Sequence, residues 1–367
     1  MKIGLLTIHN ANNYGAILQA YASKYILSYY GEVKTINYNN KYIARHGKIL
    51  RFEFSIHGFK MLIHDLIRLP FRISVINKIN NFINNHLNLT NQYSSKDFMG
   101  NETENFDLYV CGSDQIWNPS ITNRYRVLDE IYLLGFVKKG IKKISYASSM
   151  GHHNFDKNEK KLIKKYLSDY KSISLREKSG KDIISEILPN KTIYHVLDPT
   201  LLLTQNQWIE LFDIKPKVKK DNYILVYSVL RKKLIKDAVN YYRKKLKMKV
   251  YSIDQMLFSS IKIDKHIRDA GPKEFIEYFY HSTFVITDSY HGTCFALNFG
   301  IPFISVIKGE KSSRICDLLS LVDKKDRHIS SKEQFSKLLL EYDTTRLFDL
   351  LNNFRDKSLE YLNKNIN

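Results

Sequence analysis

Apolar residues along this chain gather in short blocks, and the blocks alternate between two periods. KIGLLTI, residues 2–8, is apolar almost throughout, as a strand covered on both faces must be. The polar loop HNANNYG follows. Then Ile17, Leu18, Tyr21, Tyr25 and Leu27 recur near helical spacing as far as Gly31, a helix stop, and VKTINY reads as a second strand. FDLYVCG, KKISYAS and KSISL add strands, with helices between them. After NKTIYHVLDPT the pattern starts again. NYILVYSVL, MKVYSI, TFVITD and PFISVI are strands. KKLIKDAVNYYRKKLK, GPKEFIEYFYHS with Pro272 near its start, and the stretch around RICDLLSLV are helices.

Strand–helix alternation predicts an α/β protein with parallel sheets, and two such series predict two doubly wound domains. The division falls between residues 190 and 205, giving an N-terminal domain over 1–195 and a C-terminal one over 196–345. Leu347, Leu351, Phe354 and Leu362 space the tail, 346–367, like a helix that packs back on the domains. A length of 367 residues exceeds one comfortable core, and 44% hydrophobic content excludes chain-wide disorder.

Residues 41–100 interrupt this rhythm. They carry nine Lys or Arg against three acids, and Ile76, Ile79, Phe82, Ile83 and Leu87 recur at helical spacing. The segment reads as a basic helical insertion in the N-terminal domain. Packing on that domain is the favoured reading, because amphipathic helices usually face a core. The alternative is a surface for lipid headgroups or a polyprenyl-diphosphate carrier.

Charge adds a partner class. With 57 Lys and Arg against 37 Asp and Glu, the net charge is +20. That suits an anionic partner, although a solvated lysine-rich surface gives the same figure. Cys111, Cys294 and Cys316 form no C-x-x-C pair and suit buried thiols in a reducing compartment. The N-terminus lacks the apolar core and cleavage site of a secretory leader, and no apolar run approaches the ~18 residues that span a bilayer. A cytoplasmic protein is expected, with peripheral contact at the inner face of the membrane as a further expectation.

Missing motifs exclude several chemistries. There is no G-x-G for a dinucleotide, no P-loop, no H-E-x-x-H or cysteine pair for zinc, and no D-x-D to grip a metal-bound nucleotide sugar. No metal and no cofactor are expected. The informative residues stand where strands end, since open parallel sheets bind ligands beyond those carboxyl ends. Asn13, Tyr14 and Gly15 enter the first helix. Gly112, Ser113, Asp114 and Gln115 follow DLYVC, and Gly151, His152 and His153 follow SYASSM. Arg176 ends SISL, and Asp288 to Gly292 follow FVIT.

Each of these has a structural and a chemical reading. His291 opens a helix, where backbone N–H groups favour an anion and an imidazole changes protonation near neutral pH; it is either a proton donor or a histidine bonded to backbone. A guanidinium buried at a strand end, as at Arg176, needs an anion, either a ligand's or that of a nearby Asp or Glu; the ligand is preferred. Asp114 is a helix N-cap or a base toward an acceptor hydroxyl. Asn13, Tyr14 and Gly15 form a structural turn or a rim that grips substrate, and Asp198-Pro199-Thr200 reads as a structural turn.

Taken in order, NNYGAILQAYA, FDLYVCGSDQIWNP, SYASSMG, SLREKSG, VLDPTLLL, TDSYHGTCFALNFGIPFI and SSRICDLL resemble the polysaccharide pyruvyl transferases, from about residue 2 to about residue 322. The resemblance implies two Rossmann-like domains in a GT-B-like arrangement with an interdomain cleft. It implies a metal-free transfer of the enolpyruvyl unit of phosphoenolpyruvate to a sugar, forming a pyruvate ketal on a surface-polysaccharide repeat unit of an exopolysaccharide or capsule. Phosphoenolpyruvate and a lipid- or nucleotide-linked glycan would be the partners, with no nucleic acid. His291 and Asp114 become the catalytic candidates. Arg176, Arg314, Ser289, Gly292, Asn13, Tyr14, Gly15 and Ser113 become the substrate-binding ones, with the acceptor on the N-terminal side and the donor on the C-terminal side. Better-studied members carry an arginine at the position of Ser289, where it helps hold phosphoenolpyruvate; Arg314 is expected to supply that charge. Two other readings compete: a GT-B glycosyltransferase using a nucleotide sugar, and a non-catalytic protein that binds an anionic glycan.

Overall fold

The computed structural model describes residues 1–52, 54–100, 102–216, 222–309, 312–338, 340 and 342–367. Contacts divide the chain into two compact units. The first comprises Met1–Gly47, Asn81–Leu202 and Asn353–Asn367, the second Lys48–Asn80 and Leu203–Asn352. Residues 48–80, read from the sequence as part of an insertion in the first domain, group with the second. The tail forms the helix Thr344–Ile366.

The first unit is built on β1 (Lys2–Leu6), β2 (Glu32–Tyr38), β3 (Leu89–Tyr93), β4 (Leu108–Cys111) and β5 (Lys142–Ser145), in the spatial order β3-β2-β1-β4-β5 and parallel throughout. A parallel pair, β6 (Ile173–Leu175) and β7 (Ile193–His195), continues this sheet through the bridges Ile144 to Ser172 and Ser148 to Leu175. Burial on both faces explains the runs without alternation: β4, LYVC, is buried at every position. The helix Tyr14–Leu27 starts where Asn13 Oδ1 accepts from the Ala16 N–H at 3.2 Å. The end of the tail helix packs on this unit. Tyr361 Oη donates to the Ser145 carbonyl at 2.7 Å, and Ser358 Oγ accepts from the Leu197 N–H at 3.0 Å.

The second unit repeats the plan. Its strands are β8 (Tyr223–Tyr227), β9 (Lys249–Ile253), β10 (Lys265–Ile267), β11 (Phe284–Thr287), β12 (Phe303–Val306) and β13 (His328–Ile329). They are ordered β10-β9-β8-β11-β12-β13, all parallel. A core of Ile224, Val226, Val239, Tyr242, Ile286 and Ile304 lies between sheet and helices. The expected α/β class with two doubly wound sheets is the one observed. In each unit the strand order reverses once, between β1 and β4 in the first and between β8 and β11 in the second. At such a reversal the flanking loops turn to opposite faces and leave a crevice at the strands' carboxyl ends.

Candidate functional site

At the first reversal the backbones of β1 and β4 come close. A Cβ on Gly112 would lie 2.7 Å from Thr7 Cβ, so only glycine fits. Thr7 Oγ1 donates to the Ser113 carbonyl at 3.0 Å, and Gln19 Nε2 donates to Thr7 Oγ1 at 2.9 Å. His9, just beyond β1, is buried, with Nδ1 3.1 Å from the Thr7 carbonyl and Nε2 3.3 Å from Asn37 Oδ1. Burial holds its pKa below the usual histidine value, so it is neutral at pH 7.

Beyond β4 and β5 the backbone leaves ordinary strand geometry. Asp114, Ala147 and Gly151 take φ values of 68°, 52° and 68°, and L residues rarely hold such values without support. Into this turn cluster reaches Arg176. Its Nη1 lies 2.8 Å from Asp198 Oδ2, its Nη2 3.5 Å from Asp114 Oδ1 and its Nε 3.8 Å from Glu177 Oε2. Glu177 Oε1 accepts from Ser149 Oγ at 2.7 Å and from the Met150 N–H at 3.2 Å. Asp198 also accepts from Ser113 Oγ at 3.3 Å and from the Thr200 N–H at 2.9 Å, at the start of the helix Pro199–Leu202. The side chains of Arg176 and Asp198 are wholly buried, whereas that of Asp114 remains 13% exposed. Of this charged group, Asp114 is therefore the member that meets solvent.

The second reversal is built from neutral partners. Asp288, following β11, accepts from Ser228 Oγ at 2.6 Å and from the N–H groups of Val229 and Leu230 at 2.6 and 3.0 Å. It thereby ties the loop after β8 to the loop after β11. Ser289 caps the helix Tyr290–Asn298, its Oγ accepting from the Gly292 N–H at 3.3 Å. His291 is the second residue of that helix and is mostly buried, its ring edge-on to Tyr290 at 5.5 Å. Arg314, in the helix Ser313–Leu321, holds its guanidinium 5.6 Å from the centre of the Tyr290 ring. Burial, with the charge of Asp288, raises the Tyr227 pKa, so this phenol at the end of β8 stays protonated.

Several expectations take a different form in the structure. Arg176, read as a grip for the donor, faces three carboxylates of its own unit, the partner choice that the sequence reading had placed second. Asp114 caps no helix, because the next helix begins at Pro119 and is capped by Asn118. Gly292, expected to let a ligand approach, has an internal reason to be glycine: a Cβ there would meet Thr287 Oγ1 and come 3.2 Å from Tyr227 Cδ1. Ser113 is buried in the Asp198 network, and Asn13 acts as a helix cap with Tyr14 and Gly15 buried in the turn that follows. His153 Nε2 sits 2.9 Å from Glu159 Oε2, in the capping box of the helix Lys157–Leu167. The structure brings Asp114 to Arg176 in the first unit, and Arg314 to Tyr290, the residue between Ser289 and His291, in the second.

Sequence reasoning missed His9, Glu177 and Arg231. Glu177 looked like an ordinary polar residue in SLREKSG. Arg231 lies exposed just past β8 with φ 49°, and only the strand-end rule could have picked it out. Among the described residues, no group of three or more His, Cys, Asp or Glu side chains could hold a metal ion.

A family model for polysaccharide pyruvyl transferase matches residues 13–307. The chain belongs to the polysaccharide pyruvyl transferase family. It is thus a member of a transferase family, and the matched span takes in the second reversal and, of the first, β4 with the loop after it but not β1. No curated protein matches its sequence. Among solved structures it is similar to Methanocaldococcus jannaschii UDP-GlcNAc 2-epimerase, determined with UDP-GlcNAc and UDP, at 16% identity and TM-score 0.50, over 99% of each chain. It is also similar to Arabidopsis thaliana UGT89C1 complexed with UDP, at 12% identity and TM-score 0.49, over 100% of this chain and 99% of that one. The likeness to the epimerase places the fold in the GT-B class. Ser289, at the position where the resemblance led us to expect an arginine, starts the His291 helix with its hydroxyl.

Proposed function

We propose that this pyruvyl transferase moves the enolpyruvyl unit of phosphoenolpyruvate onto a sugar of a surface-polysaccharide repeat unit, carried on a lipid or a nucleotide, and closes it into a pyruvate ketal. One sugar hydroxyl oxygen adds to C2 of the donor while C3 gains a proton. A second hydroxyl oxygen then displaces phosphate from C2. One donor and two hydroxyls give one ketal and one inorganic phosphate, with no change of oxidation state that would need a further reactant.

The observation that carries this reading is the placement of His291 at the carboxyl end of β11, beside the strand reversal, with Arg314 against the neighbouring Tyr290 ring. His291 would protonate C3 or the departing phosphate. Arg314 would neutralise donor charge, with Arg231 at the end of β8 as a second cation. On the acceptor side, in the first unit, Asp114 is the candidate base and Arg176 its positioning residue. The test is phosphate release from phosphoenolpyruvate by the purified protein, with and without a glycan acceptor. Acceptor-dependent release is expected. Consumption of a UDP-sugar with none of phosphoenolpyruvate would replace this reading with glycosyl transfer.

A further inference from the structure

The hairpin between residues 48 and 80 is inside out. Its interior is charged. Asp65, fully buried, receives Arg51 through Nη2 at 2.7 Å and Nε at 2.9 Å, with Arg68 Nη2 at 3.2 Å and Arg72 Nε at 3.7 Å. Arg72 also donates to the carbonyls of Lys48 and Ile49, and Arg68 Nη1 donates to the Gln255 carbonyl at 2.5 Å. Four charged side chains thus hold the hairpin together and fasten it to the second unit.

Its exterior is apolar. Phe54, Ile56, Phe59 and Ile67 are 99%, 81%, 58% and 58% exposed, and Ile63 and Leu66 are exposed as well. On the helix Ile56–Ile67 the exposed residues 56, 59, 63, 66 and 67 follow helical spacing, so they form one stripe. Of the nineteen exposed large apolar side chains among the described residues, eleven lie between 49 and 73. A hairpin made for water would turn its apolar stripe inward and its arginines outward. The second helix of the hairpin, Leu69–His86, does so, with Val75, Ile76, Ile79 and Phe82 buried, and the inversion belongs to the first.

We propose that this ridge docks on an anionic lipid bilayer, the stripe entering the headgroup–acyl boundary. Charge selects this occupant. Lys60 is exposed on the helix that carries the stripe and Lys48 is exposed ahead of it in the chain, and between 48 and 80 the sequence holds six Lys or Arg against two acids, Glu53 and the buried Asp65. An apolar strip rimmed by cations matches the layering of such a membrane, acyl chains below and anionic headgroups at the rim. A second copy of the chain would bring the same cations face to face, which disfavours it. Among the described residues no helix is long and apolar enough to cross a membrane, so the contact lies on the surface.

The experiment is co-sedimentation of the full chain with vesicles of phosphatidylglycerol and phosphatidylcholine, and with phosphatidylcholine alone, at low and high salt. Its readout is independent of the transfer reaction. Strong, salt-sensitive binding to the anionic vesicles is expected. The triple variant Phe59→Glu, Ile63→Glu, Ile67→Glu should bind roughly tenfold more weakly or worse. Its melting temperature should be unchanged, because all three side chains are exposed. Lys48→Ala with Lys60→Ala should weaken binding to the anionic vesicles while retaining whatever binding phosphatidylcholine alone supports. Failure of the wild type to bind either vesicle overturns the proposal. So does undiminished binding by the triple variant, which would assign the effect to the general positive charge. A wild type that dimerises without lipid and a triple variant that is monomeric would overturn it in favour of an interface between copies.

Discussion

The two strand reversals solve the same architectural problem with opposite chemistry. In the first unit a buried cation, Arg176, is met by three carboxylates. In the second an aspartate, Asp288, is met by a hydroxyl and two backbone N–H groups, with His291 and Arg314 close by in the same unit. An anionic donor approaching the first reversal would face carboxylates in excess of cations. At the second it would face a helix start, a histidine and an arginine. The contrast teaches that the presence of an arginine at a strand end does not identify an anion site; what surrounds the guanidinium does.

Arg176→Met should break the first reversal outright. Stripping three carboxylates of their buried cation is expected to cost about 3–5 kcal/mol of stability, measured by denaturant titration. A variant as stable as the wild type would mean that the guanidinium serves a ligand after all, and the contrast would collapse. At the second reversal, His291→Ala should lower turnover by about two to four orders of magnitude with little change in melting. Near-normal turnover would leave His291 as a structural residue. Arg314→Ala should mainly raise the KM for phosphoenolpyruvate, by about tenfold, since an ion pair present in both ground and transition states changes binding more than rate.

Ser289 sharpens the comparison further. Ser289→Ala should cost about 1 kcal/mol through the lost helix cap. Ser289→Arg should cost the same while lowering the KM for phosphoenolpyruvate; an unchanged KM would show that position 289 does not touch the donor. The smallest effect concerns His9. Its folded-state pKa lies below the free value of about 6.5, so as pH falls the unfolded chain takes up the proton first. The neutral ring's contribution is complete above pH 6.5 and is lost as pH drops below it. His9→Gln should flatten the fall in melting temperature between pH 7 and pH 5.5, and an equal fall in both proteins would refute the assignment.

The long-range plan was legible because fully buried parallel strands advertise themselves. β1, β4, β8, β11 and β12 are apolar runs that no helix-spaced pattern imitates. The edge strands β3 and β10, LTNQY and KHI, were not, because polar residues suit an edge and blur the signal. His291 and Arg176 were visible as strand-end residues. Two of the three partners of Arg176 were not, since Asp114 lies 62 residues before it and Asp198 22 after it, distances that no local pattern records. The exposed stripe of the hairpin was hidden for another reason. Helical spacing says that a stripe exists, and only the fold says which way it points.

Ala147 and Asp114 carry a consequence for mutational tolerance. Each holds a left-handed backbone that costs an L residue about 1–2 kcal/mol, a cost that glycine avoids while adding its own chain entropy. In a library challenged by heat alone, glycine should be accepted at both positions about as readily as the native residues. In a library scored for product, glycine should persist at 147 but vanish at 114, where it would remove the proposed base. Positions at which the two selections disagree would outline the reacting surface without any ligand having to be identified.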